Sequence, residues 1–143
     1  MSKQRVKGTS FETQVVEYLR LATGDDRVER RTCSGAKDRG DISGVYIRGR
    51  KVVLECKNRK RMELSQWLDE AETERGNDGA EFAFVVHKRN GCGEKNMHKT
   101  YVTCTLETLA ALVVGARDLM FYDKDDRPGP QYRLRERGID EFG

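Results

Sequence analysis

The arrangement of hydrophobic and polar positions predicts two short strands joined by a turn within residues 40–57. Alternate side chains along a strand point to opposite faces. Leu54 and Cys56 are therefore expected to face a core, whereas Glu55 and Lys57 face the other way. Because unpaired charges inside a strand are costly to bury, this charged face requires an explanation.

The pairing of the two strands depends on the position of their turn. A turn centred on Gly49 pairs Ser43 with Glu55 and Asp41 with Lys57. Asp41, Glu55 and Lys57 then share one face, and Asp41 is a diagonal neighbour of Glu55, roughly 7–8 Å away between backbones. Since a one-residue slip would turn Asp41 to the opposite face, the shared site depends on this register.

Apolar residues at helical spacing predict helices on either side of this hairpin. The sequence from Thr9 to Glu12 fits a capping box, so the first helix is predicted to begin at Thr9, after a loose basic segment, and to end at Gly24. The second helix is predicted over residues 66–75, with Ser65 as its N-cap and Gly76 after it.

Three more strands and a third helix complete the predicted fold. Strands are predicted over residues 28–33, 82–86 and 101–104, the second of them buried on both faces because it is continuously apolar. The order α-β-β-β-α-β-β-α predicts an α/β fold, with a central mixed sheet flanked by helices. The third helix is predicted over residues 106–114, with an apolar face formed by Leu106, Leu109, Ala110 and Val113.

Length and composition are those of one domain with a modest core. The chain has 143 residues, of which 36% are hydrophobic and 36% charged. We predict a domain over residues 1–120 and a polar tail over residues 121–143, which is flexible or contacts a second subunit or DNA.

No apolar segment approaches the ~20 residues of a membrane helix, and no signal peptide is visible, so a cytoplasmic protein without membrane contact is expected. The four cysteines show no CxxC spacing and are expected to be reduced.

The net charge of +3 is small, but the charges are clustered. Residues 48–61 include seven basic residues opposed only by Glu55, whereas residues 69–78 include five acids opposed only by Arg75. Further basic residues surround the polar loop at residues 91–99. Basic clusters suit a phosphate backbone, although runs of charge are more often solvated surface.

Asp41 and the later Glu55-Cys56-Lys57 fit metal-dependent hydrolysis of a phosphodiester. The two carboxylates and the Cys56 carbonyl are hard oxygen ligands of the kind that Mg²⁺ or Mn²⁺ prefers. Such a cation polarises the scissile phosphate and lowers the pKa of a bound water. Lys57 would stabilise the transition state or orient the attacking water. An Asp–Lys ion pair on an ordinary sheet explains the same residues without catalysis.

A zinc site is the other metal centre to consider. His87, Cys92, His98 and Cys104 have spacings of 5, 6 and 6, which match no common zinc finger. Because His87 and Cys104 fall at strand ends, packing explains them better.

Asp41 followed by Glu55-Cys56-Lys57 resembles the PD-(D/E)XK motif of restriction-endonuclease-like nucleases. Two further features are more narrowly similar to the archaeal-type and phage Holliday junction resolvases: Lys7-Gly8 with Phe11-Glu12 in the first helix, and Ser34-Gly35 before Asp41. The resemblance covers about residues 5–115 and leaves the tail unmatched. Gly40 departs from the family pattern, in which a proline often precedes the aspartate.

The resemblance implies a restriction-endonuclease-like fold and a role for each matched residue. Glu12, Asp41 and Glu55 would hold the metal, Lys57 would be catalytic, and Ser34 would contribute nearby. For Glu12 the capping box is a competing explanation. Gln66 is similar to a glutamine of related exonuclease-like members. The residues predicted to contact DNA are Lys7, Arg31, Lys37, Arg39, Arg59, Lys60, Arg61, Gln66, Lys88, Arg89, Lys95 and Lys99.

The family implied by these residues acts on DNA. The expected function is Mg²⁺-dependent cutting of four-way junctions by a homodimer in the cytoplasm, either at the nucleoid or in a phage-infected host. Two symmetric nicks require two active sites, which a two-fold symmetric dimer provides. The alternatives are another nuclease of this superfamily, such as a repair exonuclease or a restriction-like enzyme, and a DNA-binding module without catalysis.

Overall fold

The computed structural model describes residues 3–32 and 38–120, with side chains described from Ser10 onward. The predictions for Ser34, Lys37, the side chain of Lys7 and the tail at residues 121–143 lie outside the described residues.

A mixed six-stranded sheet forms the centre of the protein. Its spatial order is β1-β2-β4-β5-β6, with β3 pairing with β4. Strands β4 and β5 are parallel, and the other pairs are antiparallel. The predicted α/β fold with a central mixed sheet is thereby confirmed. The strands are β1 (Glu29–Arg30), β2 (Ile42–Ser43), β3 (Tyr46–Ile47), β4 (Arg50–Lys57), β5 (Phe82–His87) and β6 (Tyr101–Thr103).

Helices cover both faces of strand β4. Val52 and Leu54 pack into a core cluster with residues of the first helix, whereas Val53 packs into a second cluster with Trp67 and Ala71 of the second helix. Within residues 3–32 and 38–120, no helix has the length and apolar character needed to cross a bilayer. The helices are α1 (Lys3–Thr23), α2 (Leu64–Asp78) and α3 (Leu106–Val114), with short 3₁₀ helices at Glu94–Lys99 and Arg117–Leu119.

The predicted start of α1 at Thr9 is wrong, because the helix begins at Lys3. Residues 3–8, expected to be loose, form its first turns, since Lys, Gln and Arg favour helix without a Ser or Thr cap. The Thr9–Glu12 capping box therefore does not exist, and capping no longer explains Glu12. The predicted end of the helix at Gly24 is confirmed.

Helix α2 is longer than predicted at both ends. It begins at Leu64 after Glu63, so Ser65 is not its N-cap. It continues past Gly76 and ends at Gly79, which adopts the left-handed conformation with φ 61°. The N–H of Gly79 donates to the carbonyl of Gly76, which stabilises the end of the helix.

Helix α3 has the predicted bounds, but its predicted apolar face is largely exposed. Leu106, Leu109 and Val113 are 80%, 50% and 76% exposed. The smaller Thr108 and Ala111 are buried instead. Periodicity identifies an apolar face but does not reveal whether this chain covers it.

The hairpin register also differs from the prediction. The loop consists of two residues, Arg48 and Gly49, both with positive φ, so Ile47 pairs with Arg50. This is the conformation of a tight type I′ turn, in which a positive φ at the first position is unusual for arginine. At the tip of the hairpin, the predicted strand pairing therefore differs from the observed pairing by one residue.

A β-bulge changes the register again between the tip and the base of the hairpin. Ser43 and Gly44 together face Val53, so Ile42 pairs with Leu54. The predicted pairs of Ser43 with Glu55 and of Asp41 with Lys57 are consequently wrong by two residues. Because a two-residue shift preserves alternation, Asp41 still lies on the Glu55 side of the strand.

Candidate metal centre

Asp41 is fixed beside the carboxyl end of β4 by two hydrogen bonds. Its backbone N–H donates to the Leu54 carbonyl at 3.0 Å, and its carboxylate accepts from the Cys56 N–H at 2.8 Å. Asp41 therefore lies next to Glu55, as predicted, although through a different register. The side chain of Glu55 is buried, near the carboxyl end of β4.

Two acids that the sequence did not single out join Glu55. One carboxylate oxygen from each of Asp38, Glu55 and Glu74 lies within 4.8 Å of the other two. Among the described residues, this is the one cluster of three or more His, Cys, Asp or Glu side chains close enough to share a metal ion. Glu74 belongs to α2 and is buried together with Trp67 and Ala71. The spacing of these three residues is helical, so Glu74 could have been recognised as an acid on an apolar face.

The carboxylates at this site favour their protonated forms. Burial, together with the neighbouring carboxylates, raises the pKa of Asp41 to about 8 and that of Glu55 to about 9. Burial also raises the pKa of Glu74, to about 7. In the part of the chain that is described, Oε2 of Glu55 and Oε2 of Glu74 are buried without a hydrogen-bond partner. Hard oxygen donors that are buried and unsatisfied fit a Mg²⁺ or Mn²⁺ ion.

Gly40 makes space for this cluster. It is buried with φ 95°, and a Cβ there would lie 2.8 Å from Cγ1 of Val53 and 3.7 Å from Oε2 of Glu74. Proline cannot adopt a positive φ. The absence of a proline before Asp41, where the resembled motif often has one, therefore has a conformational reason.

Lys57 is held at the edge of the same cluster. Its Nζ lies 2.7 Å from Oε2 of Glu70 and 3.5 Å from Oε1 of Glu55. Burial would lower the pKa of Lys57, but the hydrogen bond to Glu70 and the charge of Glu55 outweigh burial and raise it. Lys57 is therefore a fixed ammonium group beside the carboxylates. No motif or spacing in the sequence indicated Glu70, which comes from α2.

Glu12 lies near Asp41 but outside the tight acidic group. The charge of Glu12 is one of the smaller contributions to the raised pKa of Asp41. Its Oε2 is 3.3 Å from Nε of Arg30 in β1. Of the predicted set of Glu12, Asp41 and Glu55, only Glu55 belongs to the group within 4.8 Å, whose other members are Asp38 and Glu74. That the three predicted residues hold one metal ion stays a prediction.

Basic residues from two separate segments form one pocket next to Lys57. Parallel strands β4 and β5 end together, with Lys57 paired to His87, so the residues that follow each strand meet at one edge of the sheet. The guanidinium of Arg89 lies 5.3 Å above the Tyr101 ring. Five basic side chains that the sequence analysis assigned to catalysis or DNA contact line this pocket. The full lining is Lys57, Arg59, Lys60, Met62, Trp67, His87, Lys88, Arg89, Asn90 and Tyr101.

The other predicted DNA-contacting residues whose side chains are described lie outside this pocket. Arg31 makes a paired contact with the buried Asp78, at 2.9 and 3.2 Å, which gives it a structural role. Gln66 is exposed on α2 and donates to Glu70 at 3.3 Å. Arg39, Arg61, Lys95 and Lys99 are exposed and do not line the pocket.

His87 has the packing role that was expected of it. Its ring lies against Trp67 and Tyr101, and its Nε2 lies 2.8 Å from Oγ1 of Thr103. Burial lowers its pKa. Among the described residues, the four His and Cys candidates for zinc do not converge on one point.

No protein-family model, no curated protein and no solved structure matches this chain. A proposal for its function therefore rests on the site and on the motifs in the sequence.

Proposed function

We propose that this protein is a Mg²⁺- or Mn²⁺-dependent endodeoxyribonuclease of the PD-(D/E)XK type with a restriction-endonuclease-like fold. The observation that carries the proposal is the grouping of Asp41, Glu55 and Lys57 at one end of β4. The Lys57 ammonium lies 3.5 Å from the Glu55 carboxylate, and Asp41 is bound to the backbone between them. The parallel β4-α2-β5 unit next to an antiparallel hairpin also supports the proposed fold.

Each residue of this group has a defined task. When bound, the cation supplies Lewis-acid activation of the phosphate and of a water. Asp41 and Glu55 would hold it, and the Cys56 carbonyl would be a further oxygen ligand. Lys57 donates from a fixed position to the developing negative charge of the phosphate oxygens. Glu70 holds the Lys57 ammonium in place.

The adjacent basic pocket is the proposed DNA contact. Arg59, Lys60, Lys88 and Arg89 lie around it, within reach of a backbone that passes Lys57. Neutralisation of phosphates by such residues provides affinity that is independent of sequence. This favours an enzyme that selects DNA by its structure.

The proposed substrate is a four-way junction, cut by a homodimer. The similarity of Phe11-Glu12 and of Ser34-Gly35 to junction resolvases supports the substrate. The exposed apolar residues of α3 provide a surface on which a second copy could pack. Two copies related by a two-fold axis match the symmetry of paired nicks.

The experiment that tests the substrate compares three labelled DNAs with purified protein and Mg²⁺. We expect symmetric paired nicks in a four-way junction and little cutting of linear duplex or single strand. Resection from DNA ends would instead indicate a repair exonuclease, and cutting of duplex at a defined sequence would indicate a restriction-like enzyme.

A further inference from the structure

We infer that Asp38, Glu55 and Glu74 form a binding position for a second divalent cation, on the α2 side of Glu55. The first position is the one proposed at Asp41 and Glu55, on the side of Glu12. The catalytic role of a second ion rests on the proposed function, but its binding does not.

The spacing of the three carboxylates suits a metal ion. Their ligand oxygens lie within 4.8 Å of one another. An ion at the centre of three oxygens no more than 4.8 Å apart is about 2.8 Å or less from each of them. That limit is slightly beyond the 2.3–2.6 Å of calcium–oxygen bonds and about 0.8 Å beyond the 2.0–2.1 Å of magnesium–oxygen bonds. Small rotations of the side chains would close the difference.

Two of the three ligands are buried with unused oxygens. Glu55 is 7% exposed and Glu74 is 4% exposed. Lys57 contacts Oε1 of Glu55, whereas no N–H or hydroxyl group within residues 3–32 and 38–120 donates to Oε2 of either glutamate. A buried carboxylate oxygen without a donor is costly, and a cation removes that cost directly.

The surrounding backbone holds the third ligand in position. Oδ1 of Asp38 accepts from the Gly40 N–H at 3.0 Å, and the Asp38 carbonyl accepts from Asn77 of α2 at 2.8 Å. Gly40 adds no side chain between Val53 and Glu74, where a Cβ would stand 3.7 Å from the free glutamate oxygen. The loop is thereby fixed against α2 with its carboxylate beside the two glutamates.

The chemistry of the ligands selects the class of cation. Three carboxylates without nitrogen or sulfur suit Mg²⁺, Mn²⁺ or Ca²⁺, and they disfavour a structural zinc ion. The ammonium of Lys57 also contacts Glu70, so it does not balance the acids of the cluster alone.

The competing explanation is a proton shared between Glu55 and Glu74. Such a pair is also stable when buried, but it needs no third ligand and no metal. The two explanations differ in the number of cations bound and in the contribution of Asp38.

Titration with Mn²⁺ in a calorimeter, without DNA, separates the two explanations. Wild type is expected to bind two ions per chain, whereas Glu74→Gln is expected to bind one. Asp38→Asn should weaken the second position at least about tenfold, because loss of a residue that only orients a ligand already costs about 10–100-fold. Asp69→Asn removes one charge from an exposed position on the same helix and should leave two ions bound. Circular dichroism checks that each variant is folded.

Two results would overturn the inference. One is an unchanged stoichiometry in Glu74→Gln and Asp38→Asn, and the other is a single ion in wild type that is lost only with Asp41→Asn. Either result can accompany cleavage of a junction, in which case the proposed function stands without a second ion. Two ions that depend on Glu74, in a protein that cuts no DNA, would support the site and refute the proposed function.

Discussion

Glu74 of α2 and Glu55 of β4 are buried beside each other, and one oxygen of each carboxylate lacks a hydrogen-bond partner in the described part of the chain. Helix α2 connects β4 to the parallel strand β5, so it packs against the strand that carries Glu55. The crossover therefore covers the acids with a helix that brings another acid. Such a cluster requires protons or cations, and this requirement has measurable consequences.

The stability of the metal-free protein should fall as the pH rises. The folded pKa values of Asp41, Glu55 and Glu74 are about 8, 9 and 7, above the ordinary values of 3.8 and 4.5. The folded state therefore binds more protons than the unfolded state between about pH 4 and pH 9. The stabilising effect is complete below the ordinary values and is lost as the pH rises through the folded values.

Urea unfolding in EDTA at pH 5, 7 and 9 measures this effect. We expect the free energy of unfolding to decrease from pH 5 to pH 9, and Mg²⁺ to reduce the decrease because the cation replaces the protons. Glu74→Gln removes one titrating group and should flatten the dependence. A stability that increases over this range would contradict the account of the acidic cluster.

Glu70 is expected to position Lys57 for catalysis. Its carboxylate lies 2.7 Å from Nζ of Lys57. Lys57→Met should lower kcat by about 10²–10³-fold, as loss of one donor to a transition state does. Glu70→Gln should lower kcat by about tenfold and leave KM nearly unchanged, because DNA binding does not depend on it.

Rate measurements on a junction substrate check both variants of this pair. Asp69→Asn, which removes an exposed charge from α2, is the matched control and should cleave at the wild-type rate. A Glu70→Gln enzyme with normal kcat would show that Lys57 needs no partner to hold it.

Three glycines allow the close approach at Gly40 to be measured. Gly40→Ala combines a φ of 95° with a contact of 2.8 Å to Val53, so it should destabilise the protein by about 3 kcal/mol or more. Gly79→Ala has only the positive φ and open space, and should cost about 1 kcal/mol. Gly76→Ala lies within α2 with open space and should stabilise by about 0.5–1 kcal/mol.

Thermal unfolding of the three variants gives the order directly. From the most to the least stable, the expected order is Gly76→Ala, wild type, Gly79→Ala and Gly40→Ala. Equal losses at Gly79 and Gly40 would mean that the contact with Val53 and Glu74 carries no energy.

The exposed face of α3 is the expected contact between two copies. Leu106 and Val113 are 80% and 76% exposed, and a charge at either position meets no core. Leu106→Glu with Val113→Glu should therefore convert a dimer to a monomer while the melting temperature of the monomer fold is retained. Sedimentation measures the mass, and Glu17→Lys on an exposed part of α1 is a control that should remain dimeric. A dimer that persists in the double variant uses another surface.

The local part of the site was predictable from the sequence. Alternation along a strand places Glu55 and Lys57 on one face, whatever the rest of the fold is. The prediction that Asp41 shares this face is correct, but the strand register from which it was derived is wrong. The actual turn at Arg48 and the bulge at Gly44 shift the register by two residues, and two shifts of one residue preserve the face.

The acids from the helix were not predictable in the same way. Glu74 and Glu70 meet β4 through packing of a crossover helix, which local periodicity does not describe. Only the spacing of Glu74 with Trp67 and Ala71 indicates that it faces inward. The capping signal at Thr9 does not mark the start of α1, because the helix-forming residues before Thr9 extend the helix to Lys3.

Cleavage and binding of one four-way junction, measured side by side, test the central claim most directly. Wild type should nick the junction symmetrically with Mg²⁺, and cleavage should stop in EDTA. Asp41→Asn should bind the junction with wild-type affinity in a gel-shift assay, and Lys57→Met should bind it only slightly more weakly, because four other cations line the pocket. Both variants should cut the junction at least about 10²-fold more slowly than wild type. A wild-type protein that binds the junction and never cuts it, with Mg²⁺ or with Mn²⁺, would identify a DNA-binding module and contradict the proposed nuclease.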